Sequence, residues 1–194
     1  MGWNVTTVVR RLRDWVVGLA ILALALLIIA KLENEQALRF TGPFIAVDGD
    51  TLLAKGERLR LEGLDAPEIE QACTRPDGRH YSCGEDARQV LADIVGSGGW
   101  ECSGADRDRY ERLLVNCRRG TDDLGRLLVA SGAAVADGRY LAEEGLARRE
   151  IKGIWNGTFE RPSEWRRMRK LEEVEQTAWV RTLVPHWIST WFEE

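Results

Sequence analysis

Hydrophobic positions along the chain follow three patterns. Residues 15–30 are sixteen consecutive residues without charge, apolar on every face. Between residues 43 and 118 the apolar positions come in short alternating runs, the period of half-buried strands. From residue 121 onward they recur at helical spacing.

The alternating region predicts a three-stranded meander over residues 43–64, turning at Asp48-Gly49 and Lys55-Gly56. In its third strand Leu59 and Leu61 share one face, while Arg58, Arg60 and Glu62 share the other. Ser82 stands three positions before Glu85, as in a capping box, and Ala87, Val90, Leu91 and Ile94 continue as a helical stripe to Gly96. A second strand pair is predicted over residues 100–104 and 109–117. Thr121-Asp122-Asp123 caps a helix that ends at Gly132, and residues 139–154 read as another helix. The predicted class is α+β: a small closed barrel of five strands with about three helices, preceded by an N-terminal hydrophobic helix. In the tail, Met168, Leu171, Val174 and Ala178 have helical spacing, beside Trp179, Trp187, Trp191 and Phe192; packing onto the domain is the expectation.

The apolar run follows Arg10, Arg11 and Arg13, a basic flank that predicts an export signal with the positive side retained in the cytoplasm. With no small-residue cleavage site directly behind it, an uncleaved anchor is expected. Residues 1–14 would be cytoplasmic, 15–31 a transmembrane signal anchor, 32–42 a linker, 43–165 the folded domain and 166–194 a helical tail. The domain would then lie outside the cytoplasm, periplasmic or at the cell surface, and secreted if the signal were cleaved.

Four cysteines in an exported chain favour disulfides. Sequence alone allows three pairings; Cys73–Cys83 and Cys102–Cys117 are expected, because each closes a local element. A zinc site is disfavoured, since no Cys-x2-Cys pair occurs and the histidines are His80 and His186 alone.

Charge narrows the picture further. The 194 residues carry a net −4, and because residues 1–31 contribute +3, the remainder carries −7. A protein of this sign that handles a polyanion must do so at a small focused site, with help from a cation. Two stretches offer one. Residues 47–51 (Val-Asp-Gly-Asp-Thr) and 59–68 (Leu-Arg-Leu-Glu-Gly-Leu-Asp-Ala-Pro-Glu) place carboxylates and an arginine between apolar runs. Acidic oxygens converging beside a guanidinium suggest a divalent cation next to a phosphate.

The Asp48-Gly49-Asp50-Thr51 turn, the run from Arg60 to Asp65-Ala66-Pro67-Glu68, and Asp108-Arg109-Tyr110-Glu111-Arg112 together resemble the micrococcal (thermonuclease-type) nuclease family in order and spacing, from about residue 43 to 165. The resemblance implies an OB-type five-stranded barrel and Ca²⁺-dependent hydrolysis of DNA or RNA to products ending in 3′-phosphate. It implies that Asp50 and Asp65 bind Ca²⁺ by side chain and Ala66 by its carbonyl. Glu68 would orient or deprotonate the attacking water, and Arg60 and Arg112 would hold the scissile phosphate. Tyr110 would line the nucleotide pocket; Tyr140 is a candidate addition, weighed against the alternative of an amphipathic ring packed on the helix surface. The sequence departs from the family pattern in three places. Ala66 stands where threonine is typical, Glu111 stands where glycine is typical, and the loop after Glu68 carries cysteines instead of a lysine cluster. Two other classes compete: a non-catalytic OB module that binds nucleic acid or another partner, and an envelope protein acting in surface-polymer assembly.

Overall fold

A computed structural model describes residues 5–183. In chain order the elements are α1 (Val5–Gln36), β1 (Leu38–Thr41), β2 (Ile45–Ala46), β3 (Thr51–Ala54), β4 (Glu57–Leu61), β5 (Leu64–Asp65), β6 (Ala72–Thr74), β7 (His80–Ser82) and α2 (Cys83–Gly96). Then follow β8 (Glu101–Gly104), β9 (Leu113–Arg119), β10 (Asp122–Asp123), α3 (Leu124–Ser131), β11 (Val135–Ala136), α4 (Leu141–Arg149), a 3-10 turn (Gly153–Trp155) and α5 (Pro162–Leu183).

The fold is mixed α+β, built on a curled half-barrel sheet. Its strand order is β1-β8-β9-β4-β3-β2, with β10 on β9. The meander and the second strand pair appear as the alternation predicts, and β4 joins them by running parallel to β9, Arg60 opposite Leu114. The expected closed barrel takes a different form. Leu64 and Asp65 leave the main sheet to pair with Ala136 and Val135, so the path stays open between β1 and β2. Leu38–Thr41, inside the segment read as a linker, is β1 and lies along β8.

Burial follows the alternation. Leu59 and Leu61 of β4, and Leu113, Val115 and Cys117 of β9, face a core shared with Leu52, Leu91, Trp100, Leu124 and Leu128. Each fully buried leucine contributes about 1.5–3 kcal/mol, so this inner face fixes the register of the strands and leaves their outer face for chemistry. Trp100 fits inside because its indole N–H donates to the Ile94 carbonyl at 3.0 Å. The α3 cap forms as expected, Asp123 accepting from the Arg126 backbone N–H, and Gly132 ends that helix at φ +74°. Ser82 starts α2 without a side-chain cap bond. Cys83 anchors that helix end instead, through the Cys73–Cys83 disulfide. The second disulfide, Cys102–Cys117, joins residues directly opposite in the β8–β9 pair. Both cystine pairs are those expected, and both belong to an oxidising environment.

The signal-anchor expectation is overturned. Among the described residues, no helix is long and apolar enough to cross a membrane. The sixteen uncharged residues fall short of the roughly 20 that a bilayer core requires, and α1 continues through charged and polar sequence on either side. Attachment to a membrane through this helix, and the location inferred from it, lapse with that finding. The tail expectation also changes. α5 is helical, but Met168, Leu171 and Val174 are exposed instead of buried against the domain core. Trp187, Trp191 and Phe192 lie outside the described residues, and so do the side chains of Ala178 and Trp179.

Candidate active site

A turn, a strand and a loop bring the central residues together. At the turn, Asp48 accepts the Asp50 backbone N–H at 3.0 Å, and Val47 N–H donates to the Thr51 carbonyl at 2.9 Å. Thr51 of β3 is paired with Arg60 of β4. Arg60 is thereby held one residue from Asp50, on the face of β4 opposite the leucines.

The Arg60 guanidinium bridges two buried carboxylates. Nη1 lies 2.8 Å from Asp50 Oδ1 and 2.7 Å from Oδ2, and Nη2 lies 3.1 Å from Asp65 Oδ1. Asp50 and Asp65 are 3% and 5% exposed, so this shared cation is what makes their burial tolerable. Thr51 Oγ1 and, at 3.4 Å, the Ala66 backbone N–H also donate to Asp50. Burial pushes the Asp50 carboxyl up to about 7, with Arg60 opposing the rise and Asp48 adding to it. Burial works against the Arg60 charge too, but Asp50 and Asp65 outweigh it and raise its pKa above the usual range.

Glu68 sits on the loop after β5. Its N–H donates to Gln71 Oε1 and its carbonyl accepts the Gln71 N–H, so the fully buried Gln71 sets the shape of the loop. α2 presses against this loop at Gly84, where a Cβ would lie 1.7 Å from the Glu68 carbonyl oxygen. Only glycine permits that approach.

Arg112 comes from the β8–β9 loop, which folds around Asp108. Asp108 Oδ1 accepts the backbone N–H groups of Tyr110 and Arg112, and Oδ2 accepts Arg112 Nε at 2.8 Å. Burial raises the Asp108 pKa, but these bonds outweigh it and hold the carboxyl below its usual range. Arg112 is left with Nη1 directed to Thr51 Oγ1 at 3.4 Å. The Tyr110 ring is exposed, with the Arg109 and Arg112 guanidiniums 4.8 and 5.4 Å from its centroid. Glu111 takes φ +61°, the left-handed conformation that glycine adopts with less strain.

These groups open onto one cavity of about 630 Å³, lined by Asp50, Arg60, Ala66, Glu68, Tyr110 and Arg112. Arg58, Arg109 and Arg166 line it as well, against Asp48 and Asp108. The lining holds five arginines and four carboxylates, and Asp65, just behind the wall on Arg60 and Arg166, makes a fifth acid, so the site gathers arginines on an acidic chain while staying near charge balance. Tyr140 lies elsewhere. Its ring packs on Gly125 of α3, whose added Cβ would meet it at 2.8 Å, and its O–H donates to Asp123 at 2.8 Å. It is part of the α3–α4 packing.

Three residues of the site carry no sequence expectation. Asp108 orients Arg112, Gln71 shapes the Glu68 loop, and Arg166 of α5 forks onto Asp65 with Nη1 at 3.0 Å and Nη2 at 2.9 Å. Arg166 Nη1 also donates to Glu68 Oε1 at 2.6 Å. Burial works against its charge, but the hydrogen bonds it donates to Asp65 and Glu68 outweigh this and raise its pKa. The short-range signal for Asp108 is its Asp-x-Tyr-x-Arg spacing; Arg166 had none beyond the Arg-Arg pair in the tail.

Among the described residues, no group of three or more His, Cys, Asp or Glu is arranged to hold a metal ion. What converges is two carboxylates, Asp50 and Asp65, bridged by Arg60, with the Ala66 N–H on Asp50. The carboxylate oxygens are hard donors, which suit calcium when carbonyl and water oxygens complete the shell. The positive charge beside Asp65 belongs here to Arg60 and Arg166, and that beside Glu68 to Arg166.

The chain is 36% identical over 121 residues to the succinoglycan biosynthesis protein ExoI of Rhizobium meliloti (strain 1021). The alignment spans 59% of this chain and 63% of that relative, less than two thirds of its length. The sequence profile of the staphylococcal nuclease homologues matches residues 58–157, a stretch that contains Arg60, Asp65, Ala66, Glu68, Tyr110 and Arg112. With just over half of its length matched, the chain belongs to the staphylococcal nuclease homologue family.

Proposed function

We propose that this chain is a Ca²⁺-dependent phosphodiester hydrolase acting on DNA or RNA. The observation that carries the reading is the shared opening of Arg60, Glu68 and Arg112 onto one arginine-lined cavity beside Asp50 and Asp65, the two acids that Arg60 bridges.

Hydrolysis of a phosphodiester needs a positioned water and cations on the charge that develops at phosphorus. Asp50, Asp65 and the Ala66 carbonyl would hold calcium, which when bound supplies Lewis-acid stabilisation of the phosphoryl oxygens. Glu68, at the cavity wall, would orient and deprotonate the water. Arg60 spends two N–H groups on Asp50 and Asp65 and keeps others for phosphate; Arg112, steadied by Asp108, approaches from the opposite loop. Tyr110 offers an exposed ring flanked by two guanidiniums, suited to stacking on a base. The proposed domain comprises residues 43–165, with β1 completing its sheet.

A second reading, a non-catalytic module serving surface-polymer assembly, draws on the relative's being a succinoglycan biosynthesis protein and on the engagement of both Asp65 and Glu68 by Arg166. Incubating the full chain with supercoiled plasmid and with single-stranded RNA, in calcium and in chelator, separates the two. The hydrolase reading expects calcium-stimulated cleavage of at least one polymer. Binding without cleavage in both buffers favours the module.

A further inference from the structure

The family match ends at residue 157, and α5 begins at Pro162. The start of α5 is fastened to the domain without using the side chains of Asp50, Asp65 or Glu68. Pro162 is buried, Gln71 Nε2 donates to the Glu160 carbonyl at 2.7 Å, and Arg161 donates to the Ala136 carbonyl. The next two turns touch the domain differently. Arg166 grips Asp65 and Glu68, and Arg169 pairs with Glu70 at 2.9 Å. Apart from the half-buried Trp165, residues 163–175 are exposed. This part of α5 is therefore held by ion pairs with little apolar contact, and Arg166 itself is 40% exposed. The Glu68 and Glu70 pairs are partly screened by solvent, and the fork onto buried Asp65 is held by charge alone, so a competing cation at those oxygens opposes it directly.

The acids that Arg166 holds are the ones proposed to hold calcium and to activate water. It occupies both oxygens of Asp65 and one of Glu68. A divalent ion beside Asp65 and the Arg166 guanidinium would bring like charges together at the same oxygens.

We propose that Arg166 is a built-in occupant of the carboxylate site, exchangeable with a divalent cation. Cation binding lifts the Arg166 turn of α5 away, and docking of that turn expels the cation. The effect is reciprocal, as any linkage between two ligands of one site must be. The mechanism rests on the calcium-dependent reading above and adds to it a segment that lies outside the matched domain. It also releases Glu68, so the acid becomes free to act on water only when the cation is in place.

The test uses the full chain, freed of metal by chelation, in two measurements. Calorimetric titration with Ca²⁺ compares wild type with Arg166→Gln and Arg169→Gln. Arg166→Gln is expected to bind about tenfold tighter than wild type, and Arg169→Gln to fall between them, since it loosens α5 without vacating the site. Separately, trypsin cleavage of wild type after Arg167 or Lys170 is expected to speed up on adding Ca²⁺, with cuts elsewhere in the domain unchanged. Equal affinity for wild type and Arg166→Gln, or tryptic cleavage indifferent to Ca²⁺, overturns the exchange and leaves the hydrolase reading standing. Failure of every chain to bind Ca²⁺ overturns both.

Discussion

Arg60 and Asp50 meet across the β3–β4 pair at 2.8 Å, offset by one residue from the direct Thr51–Arg60 partnership. The same guanidinium reaches Asp65, so one cation serves two acids that are almost wholly buried. Removing it leaves Asp50 with no other cationic partner in its contacts and Asp65 with Arg166 alone. Arg60→Ala is expected to cost about 3–5 kcal/mol, the usual penalty for stranding a buried charge. Arg60→Lys keeps a cation and should lose less than half of that. Urea unfolding of the two variants checks the order; equal losses would show that the charge is not what holds the pair. Arg60→Lys is accordingly the variant for probing catalysis, because Arg60→Ala confounds activity with folding.

The Cys102–Cys117 cystine closes a loop of about 15 residues, worth roughly 3 kcal/mol in the chain-entropy treatment. Replacing both cysteines with alanine should lower the unfolding free energy by roughly that amount. A change below 1 kcal/mol in urea titration would mean that the strand register holds without it.

Tyr140 gives a pH dependence that is independent of the cavity. Burial raises its phenol to about 12, and the Asp123 hydrogen bond adds to the rise. A group whose pKa is higher in the folded than in the unfolded state contributes stability that is complete below the unfolded value and is lost as pH rises through the folded one. Stability should thus decline between about pH 10 and 12, and Tyr140→Phe should lack that component. Thermal unfolding across this range, wild type against variant, provides the check. Parallel declines would assign the effect to other groups.

Much of this architecture was legible because it is local. Alternation marked Leu59 and Leu61 as core and put Arg60 on the outer face, and the Asp-Gly turn fixed Asp50 next to it. The two cystines were readable for the same reason, each closing a short loop. What escaped was long-range or thin. β1 has Phe40 as its one buried residue and finds its partner some sixty positions away. The β5–β11 pairing involves two residues a side. Arg166 reaches Asp65 across 101 residues, from a tail whose local sequence looks like a solvated helix. Tyr140 had two readings, because an aromatic packed on a helix surface and one beside a ligand pocket share the same sequence pattern; in the structure its ring packs on Gly125. The N-terminal run was read from hydrophobicity and flanking charge, whereas its length of sixteen residues was the stronger constraint.

Glu68 is the residue on which the proposed chemistry turns, and its side chain is one-third exposed, so its replacement should leave the fold intact. The direct measurement is the rate of plasmid nicking in calcium by wild type and by Glu68→Gln, with circular dichroism verifying that both are folded. Calcium-stimulated nicking by wild type that falls about a hundredfold or more in Glu68→Gln is the expected result. Nicking by Glu68→Gln at the wild-type rate, or wild-type nicking unchanged by chelator, would contradict the account.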